Sequence, residues 1–352
     1  MKKSTQQKYI GIFVFILCTW EVFGQVGGRN SFEFLNLSAN PRTMALGGMN
    51  TSLGQADANM FLNNPASIED STMAGHATFN YSSFYTGIPH FLMTYAHNFG
   101  GNVGTLGMGL QYIRYGTMQE TDEAGNVIGE FNATDYAFTV GKTWSSGNFR
   151  VGINTKIIGS NIASYSAFGL AADLGGMFVH PEKDLQVGLV MSNLGFTLKN
   201  YLSQNNLKMP FDVRLGISFK PKYMPVRFSI TGHHLYRWDI AYNDPAFSNI
   251  VDPFTGQTQT KKVSFLDNFF RHLTFGSELI LSKNFHLRFG YNHLRNRELR
   301  FEEAVRLAGF SAGFSLKVRG WEFAYSRASF NGGARSFLAL SKNIQSFFKK
   351  SE

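Results

Sequence analysis

The chain has one cysteine, few charges and, past its first two dozen residues, no long apolar run. The single cysteine, Cys18, leaves no partner for an internal disulfide and no cysteine cluster for a structural zinc among the 352 residues. Charged residues make up 16%, against the roughly 25% of an average soluble domain. No segment beyond residue 24 reaches the roughly 20 apolar residues of a membrane-crossing helix. Mean hydropathy is close to neutral at −0.14. No catalytic constellation stands out: serines, histidines and aspartates are scattered, and a triad is a geometry that scattered residues do not define. The sequence reading is a non-enzymatic protein without a cofactor.

The first residues read as a secretory leader. Lys2, Lys3 and Lys8 precede a short apolar core at residues 9–17, followed by Val22-Phe23-Gly24. Residues 1–24 are assigned to the leader, with Gln25 opening the mature chain. Cys18 as a lipid anchor needs a small residue before it, and Leu17 stands there. Removing three lysines and Glu21 takes the net charge from +9 to about +7. That basic excess suits an anionic lipopolysaccharide surface. It lacks the clustered basic face of a nucleic-acid binder.

Glycine (36) and phenylalanine (35) are abundant, and they recur with period two. In Phe285-His286-Leu287-Arg288-Phe289-Gly290-Tyr291-Asn292 one face is aromatic or aliphatic, while the other carries cations, glycine and amides. Residues 149–157, 213–220 and 310–317 read alike. About fourteen such segments begin near Ala77, Phe91, Val103, Asp135, Phe149, Ser166, Leu185, Asp212, Val226, Leu273, Phe285, Ala308, Gly320 and Ala334. Their length, about nine or ten residues, crosses a bilayer at a tilt. The even-numbered connections are short; most odd-numbered ones are longer, notably residues 116–134, 194–211, 236–272 and 294–307. This pattern predicts an all-β fold: a transmembrane antiparallel β-barrel at residues 74–352, short turns facing the periplasm and long loops extracellular, in the outer membrane. An even strand count places both chain ends on the short-turn side.

Residues 25–73 do not share the strand pattern. They hold Asn40-Pro41, Gly47-Gly48 and Asn64-Pro65-Ala66, all turn chemistry. Fourteen strands leave more interior than side chains of the wall fill. We therefore expect this segment to rise from the periplasmic side and plug the barrel.

Candidate contact residues lie on the longest loops. Tyr236, Trp238, Tyr242, Phe247 and Phe254 are aromatic anchors for a docking partner. Arg295, Arg297, Arg300 and Arg306 are candidates for anionic lipopolysaccharide or an acidic partner. His233 and His234 are neighbours that a strand would turn to opposite faces, so no shared metal is expected. The run Asp122 to Asn126 lacks an oxygen ligand at Ala124 and reads as a hairpin tip rather than a calcium loop.

Val26-Gly27-Gly28-Arg29, residues 32–37, Ala45-Leu46-Gly47-Gly48, Ser52-Leu53 and Asn64-Pro65-Ala66 resemble the N-terminal signature of the PorV/PorQ family of the type IX secretion system. That family sits within the broader FadL-like barrels. Residues 231–245, with His233-His234-Leu235 and Arg237-Trp238-Asp239, are more similar to the PorQ branch. The resemblance implies a fourteen-stranded barrel with an N-terminal hatch, in an attachment complex. Its implied partners are a PorZ-like surface protein and, through it, PorU and PorV-like proteins. Transport of hydrophobic molecules is the alternative it carries.

Overall fold

The computed structural model describes residues 30–54, 57–83, 87–202, 208–241, 249–251, 258–260, 263–298, 307–330 and 332–345. Fourteen strands close into one antiparallel barrel. The first seven are β1 (His76–Ser83), β2 (Pro89–Asn98), β3 (Thr105–Thr121), β4 (Val127–Ser146), β5 (Phe149–Ile162), β6 (Tyr165–Val179) and β7 (Asp184–Lys199). β8 (Asp212–Lys220) and β9 (Val226–Gly232) follow. β10 (Asn249–Val251) and β11 (Thr258–Thr260) form a separate two-stranded sheet. The wall resumes with β12 (Leu273–Ile280), β13 (Phe285–Asn292), β14 (Phe310–Val318), β15 (Trp321–Phe330) and β16 (Gly333–Asn343). β1 closes on β16 in register from His76 opposite Asn343 to Ser82 opposite Phe337.

Alternation decides which side each residue takes. Asn80, Thr94, Asn154, Ser218 and Arg288 are buried, whereas Phe79, Met93, Leu110, Phe138, Ile217 and Phe289 are exposed. The large side chains thus face outward, the inverse of a soluble core. An apolar belt around a closed barrel is stable in lipid and a liability in water. No helix among the described residues is long and apolar enough to cross a membrane.

Thirteen of the fourteen expected strand starts fall within two residues of the observed ones; the fourth begins at Val127 rather than near Asp135. Residues 116–134 are accordingly no loop. β3 and β4 keep pairing through register shifts at Arg114/Gly116 and Glu120/Thr121, and they turn at residues 122–126. The Asp122 carboxylate accepts from the Ala124 and Asn126 backbone N–H groups at 3.0 and 2.8 Å. Those bonds hold Asp122 below the usual carboxylate range, the Asn126 side-chain bond foremost. The loop asymmetry is carried by residues 200–211, 233–272 and 293–309. The other odd-numbered connections are short, the one at 163–164 a two-residue turn.

Strand length also differs around the wall. β3 and β4 have 17 and 20 residues, while β12 and β13 have eight each. One side of the long-loop rim therefore stands as a palisade above the other.

Residues 30–75 run through the lumen, entering at the long-loop rim, opposite to the expected direction. Ser31 N–H donates to Lys208 C=O at 2.8 Å, and Asn30 bridges Lys208, in the connection between β7 and β8. The reason is apolar burial. Phe32 and Phe34 pack with Ile113, Ala137, Ile158 and Met209, an apolar cluster towards that rim. The segment then descends, turns back and leaves at the short-turn rim, where Gly75 N–H donates to Ala96 C=O at 2.7 Å and Ile344 N–H to Gly75 C=O at 2.8 Å.

Candidate functional site

The segment is fixed to the wall first by charge. Asn40 caps a short helix, Pro41–Ala45, by accepting from Arg42 N–H at 2.9 Å, with proline at the first helical position. This aims Arg42 at β12. Its guanidinium lies 3.5 Å from Glu278 and 3.9 Å from Asp57. Glu278 also pairs with Arg227 at 2.9 Å and Arg288 at 2.7 Å, and Arg227 reaches Asp184 at 2.9 Å. The wall thus supplies more cations than Glu278 alone balances, and two aspartates complete the network. Buried charges of this kind persist only when paired and hydrogen-bonded.

Backbone contact is the second fixture, and wall glycines permit it. A Cβ on Gly152 would lie 2.4 Å from the Pro65 carbonyl carbon, and one on Gly188 would lie 2.0 Å from the Thr51 oxygen. Asn64 donates to Thr51 C=O at 2.7 Å and accepts from Ala66 N–H at 2.9 Å. Thr143 Oγ1 donates to Pro65 C=O at 2.5 Å, and Asn154 to Phe61 C=O at 2.9 Å. Gly47 and Gly48 take φ values of 98° and 95°, the left-handed region that favours glycine. Gly47 C=O accepts from Asn292 at 3.2 Å and Arg295 at 3.1 Å. The turn residues Gly47, Asn64, Pro65 and Ala66 therefore lie in contact with the wall, and Gly48 lies against Arg295 in the connection after β13.

The filled lumen keeps two small polar cavities. One of about 60 Å³ is lined by Asn36, Asn63, Gln111, Lys156 and Arg214 among others. Another of about 20 Å³ lies towards the short-turn rim, between Arg42, Asp57, His76, Arg288 and Glu322. Asn40 and Asn59 line both, forming a partition between them. Asn59 is held there by Asn80 at 2.8 Å and Thr94 at 2.9 Å.

The outer wall carries a groove of about 1040 Å³ across β9 and β12–β15. Its sides are the lipid-facing Phe228, Ile230, Phe275, Phe289, Tyr291 and Phe310. Its floor is a row of small inward residues at one level. Ser229 is opposite Gly276, Gly276 opposite Gly290, and Gly290 opposite Ser311. Directly behind lies the lumenal segment: Leu46 would be 3.1 Å from a Cβ at Gly276, and Gly47 N 2.2 Å from one at Gly290. A second outer groove, about 560 Å³, has Thr78, Thr94 and Gly109 at its floor. The first groove is the larger of the two.

The loop candidates divide. Tyr236 packs its ring against Phe211 at 5.2 Å, and Trp238 stacks on Phe265 at 5.0 Å and His272 at 5.4 Å. Tyr242, Phe247, Phe254, Arg300 and Arg306 lie outside the described residues. Arg295 turns inward to Gly47 and over the Phe330 ring at 4.6 Å. Arg297 pairs with Asp267 at 2.9 Å.

His233 and His234 follow β9 rather than lying on it. His234 has φ 55°, which brings the two Nδ1 atoms to 2.7 Å. The opposite-face argument therefore does not apply to them. Burial pushes His233 down to about 3, and burial likewise lowers His234. Both are neutral near pH 7, one imidazole N–H donating to the other ring. Among the described residues no group of three or more His, Cys, Asp and Glu is placed to hold a metal.

Two catalytic spellings do occur. Gly309-Phe310-Ser311-Ala312-Gly313 matches Gly-x-Ser-x-Gly, which in hydrolases marks a strand-to-helix elbow. Here it runs into β14, and Ser311 Oγ donates to Ala45 C=O at 3.2 Å. Its small residues serve the groove floor instead. Ser346-Phe347-Phe348-Lys349 lies outside the described residues. The groove itself escaped sequence reading, although Ser229, Gly276, Gly290 and Ser311 are each visible as small residues on a polar strand face.

No family model matches the chain, and no curated protein sequence matches it. Solved structures do. A TodX monoaromatic hydrocarbon channel, the deltaS2S3 mutant, superposes with a TM-score of 0.52 at 11% identity, covering 86% of this chain and 98% of that one. The Pseudomonas putida toluene transporter TodX gives 0.47 at 12% identity, over 85% and 95%. KdgM porin gives 0.33 at 7% identity, over 76% and 98%. By its closed fourteen-stranded wall, its apolar belt and the fold it shares with the first of these, the chain is an outer-membrane β-barrel.

Proposed function

We propose that this barrel is a FadL-like conduit that passes small hydrophobic molecules through its wall. The groove over Ser229, Gly276, Gly290 and Ser311 carries the reading. It is apolar where it faces lipid, large enough for a drug-sized ligand, and separated from the lumen by backbone and hydroxyls alone. A solute partitioned in the membrane reaches it without crossing water. Displacement of Leu46-Gly47 would open it inward. Protein-bearing liposomes should take up a long-chain fatty acid or toluene faster than empty ones; equal rates would sink the transport reading. Ala312→Trp, on the outer side of the groove, should cut uptake severalfold. Unchanged uptake by this variant would place the route elsewhere in the barrel.

A second reading follows from the family resemblance: a non-enzymatic anchor of the type IX attachment complex, holding a PorZ-like surface protein and, through it, PorU and PorV-like proteins. The 233–272 connection supports it, because it is the longest and carries Tyr236 and the half-exposed Trp238. Arg297, Arg300 and Arg306 are its candidate contacts to lipopolysaccharide or an acidic partner. Deleting residues 243–260 should release the partner from the membrane. Full retention would remove this reading and leave transport untouched.

A further inference from the structure

The wall is too short on one side to fill the apolar band it must match. β12 and β13 have eight residues each, and β9 has seven. At roughly 3.3 Å per residue and a tilt of about 40°, eight residues rise about 20 Å, against an apolar band of about 25 Å. Residues outside the strands must supply the difference. At the short-turn rim Tyr223 and Leu281 are exposed beneath these strands. At the long-loop rim stands the helix Phe265–Arg271, which leads directly into β12.

That helix is polar inward and apolar outward. Asn268 donates to Trp238 C=O at 2.7 Å. Asp267 is tied by Arg271, His293 and Arg297, each at 2.9 Å. Phe265, Leu266, Phe269 and Phe270 are 69%, 64%, 42% and 42% exposed. The exposed face continues into the belt. Phe270 meets the His293 ring edge-on at 6.1 Å, His293 Nδ1 bonds Tyr291 Oη at 3.0 Å, and Tyr291 packs on Phe310 at 4.7 Å. Tyr291 and Phe310 belong to the lipid-facing wall.

We infer that the helix Phe265–Arg271, with Trp238 beside it, is seated in the acyl region of the leaflet at the long-loop rim, completing the apolar belt where the strands stop short. Its occupant is lipid rather than protein, because the face is continuous with the belt and lies at the height the strands leave uncovered. Its charged side chains tie the helix to His293 and Arg297, in the short helix that follows β13.

A nitroxide at Leu266→Cys, in a Cys18→Ser background and in phosphatidylcholine vesicles, tests this. Its collisions with oxygen should exceed those with a water-soluble nickel complex, as at a Phe289→Cys control in the belt. Phe269→Cys supplies a second site should the first variant fail to fold. Nickel accessibility matching a Glu120→Cys control, which is exposed on the palisade, would overturn the inference and leave the face free for a protein partner.

Discussion

Glu278 is the residue on which the lumenal network depends. Arg42, Arg227 and Arg288 all reach it, and it is almost fully buried. Glu278→Gln leaves three guanidinium groups short of a counter-charge. Breaking a buried pair in this way typically costs about 3–5 kcal/mol. The variant should unfold in urea at a clearly lower midpoint, and a midpoint equal to the parent's would show the network to be energetically idle. Asn59 makes a different prediction. Asn59→Gly removes one of the two side chains that line both cavities and should produce ion conductance in planar bilayers where the parent is silent. A silent, folded variant would show that the partition lies elsewhere. His233 adds a pH dependence. Its folded value of about 3 lies below the ordinary 6.5, so the unfolded chain binds the extra proton between these values. Stability should be intact above about pH 6.5 and fall as pH drops towards 3, at most about 1.4 kcal/mol per pH unit. His233→Gln should flatten that slope in acid unfolding curves.

At the scale of elements, strands were far more legible than the surfaces they make. Period-two alternation marks each wall strand because lipid and lumen impose opposite demands on neighbouring residues. The fourth strand was misplaced because β3 and β4 continue beyond the belt, where neither face is buried and alternation no longer selects. The lumenal segment was recognisable as unlike a strand. Its direction was not, since entry is set by the distant cluster around Ile113 and Met209. Inward glycines were visible on nearly every strand; what they approach required coordinates. Gly152→Val should show this. Its side chain would meet Pro65 backbone atoms that have no rotamer to yield, so the lumenal segment should become protease-sensitive while the wall retains its β signal in circular dichroism. A segment as resistant as the parent's would show that it shifts without cost.

For the whole molecule, orientation follows from the two rims. A cysteine at Asn30, in a Cys18→Ser background, should react with an impermeant maleimide on intact cells, because Asn30 lies beside Lys208 at the long-loop rim. Labelling only after the outer membrane is breached would invert the barrel or the segment's course.

That course bears on assembly. The segment touches strands on all sides of the barrel, from Gly152 and Gly188 to Gly290 and Ser311. The β1–β16 seam joins the two ends of the wall sequence, the most sequence-distant pairing and hence the slowest to form. A chain crossing from rim to rim cannot be drawn in easily after that seam has shut. The topology is therefore the one expected of a sheet that closes around the segment already in place.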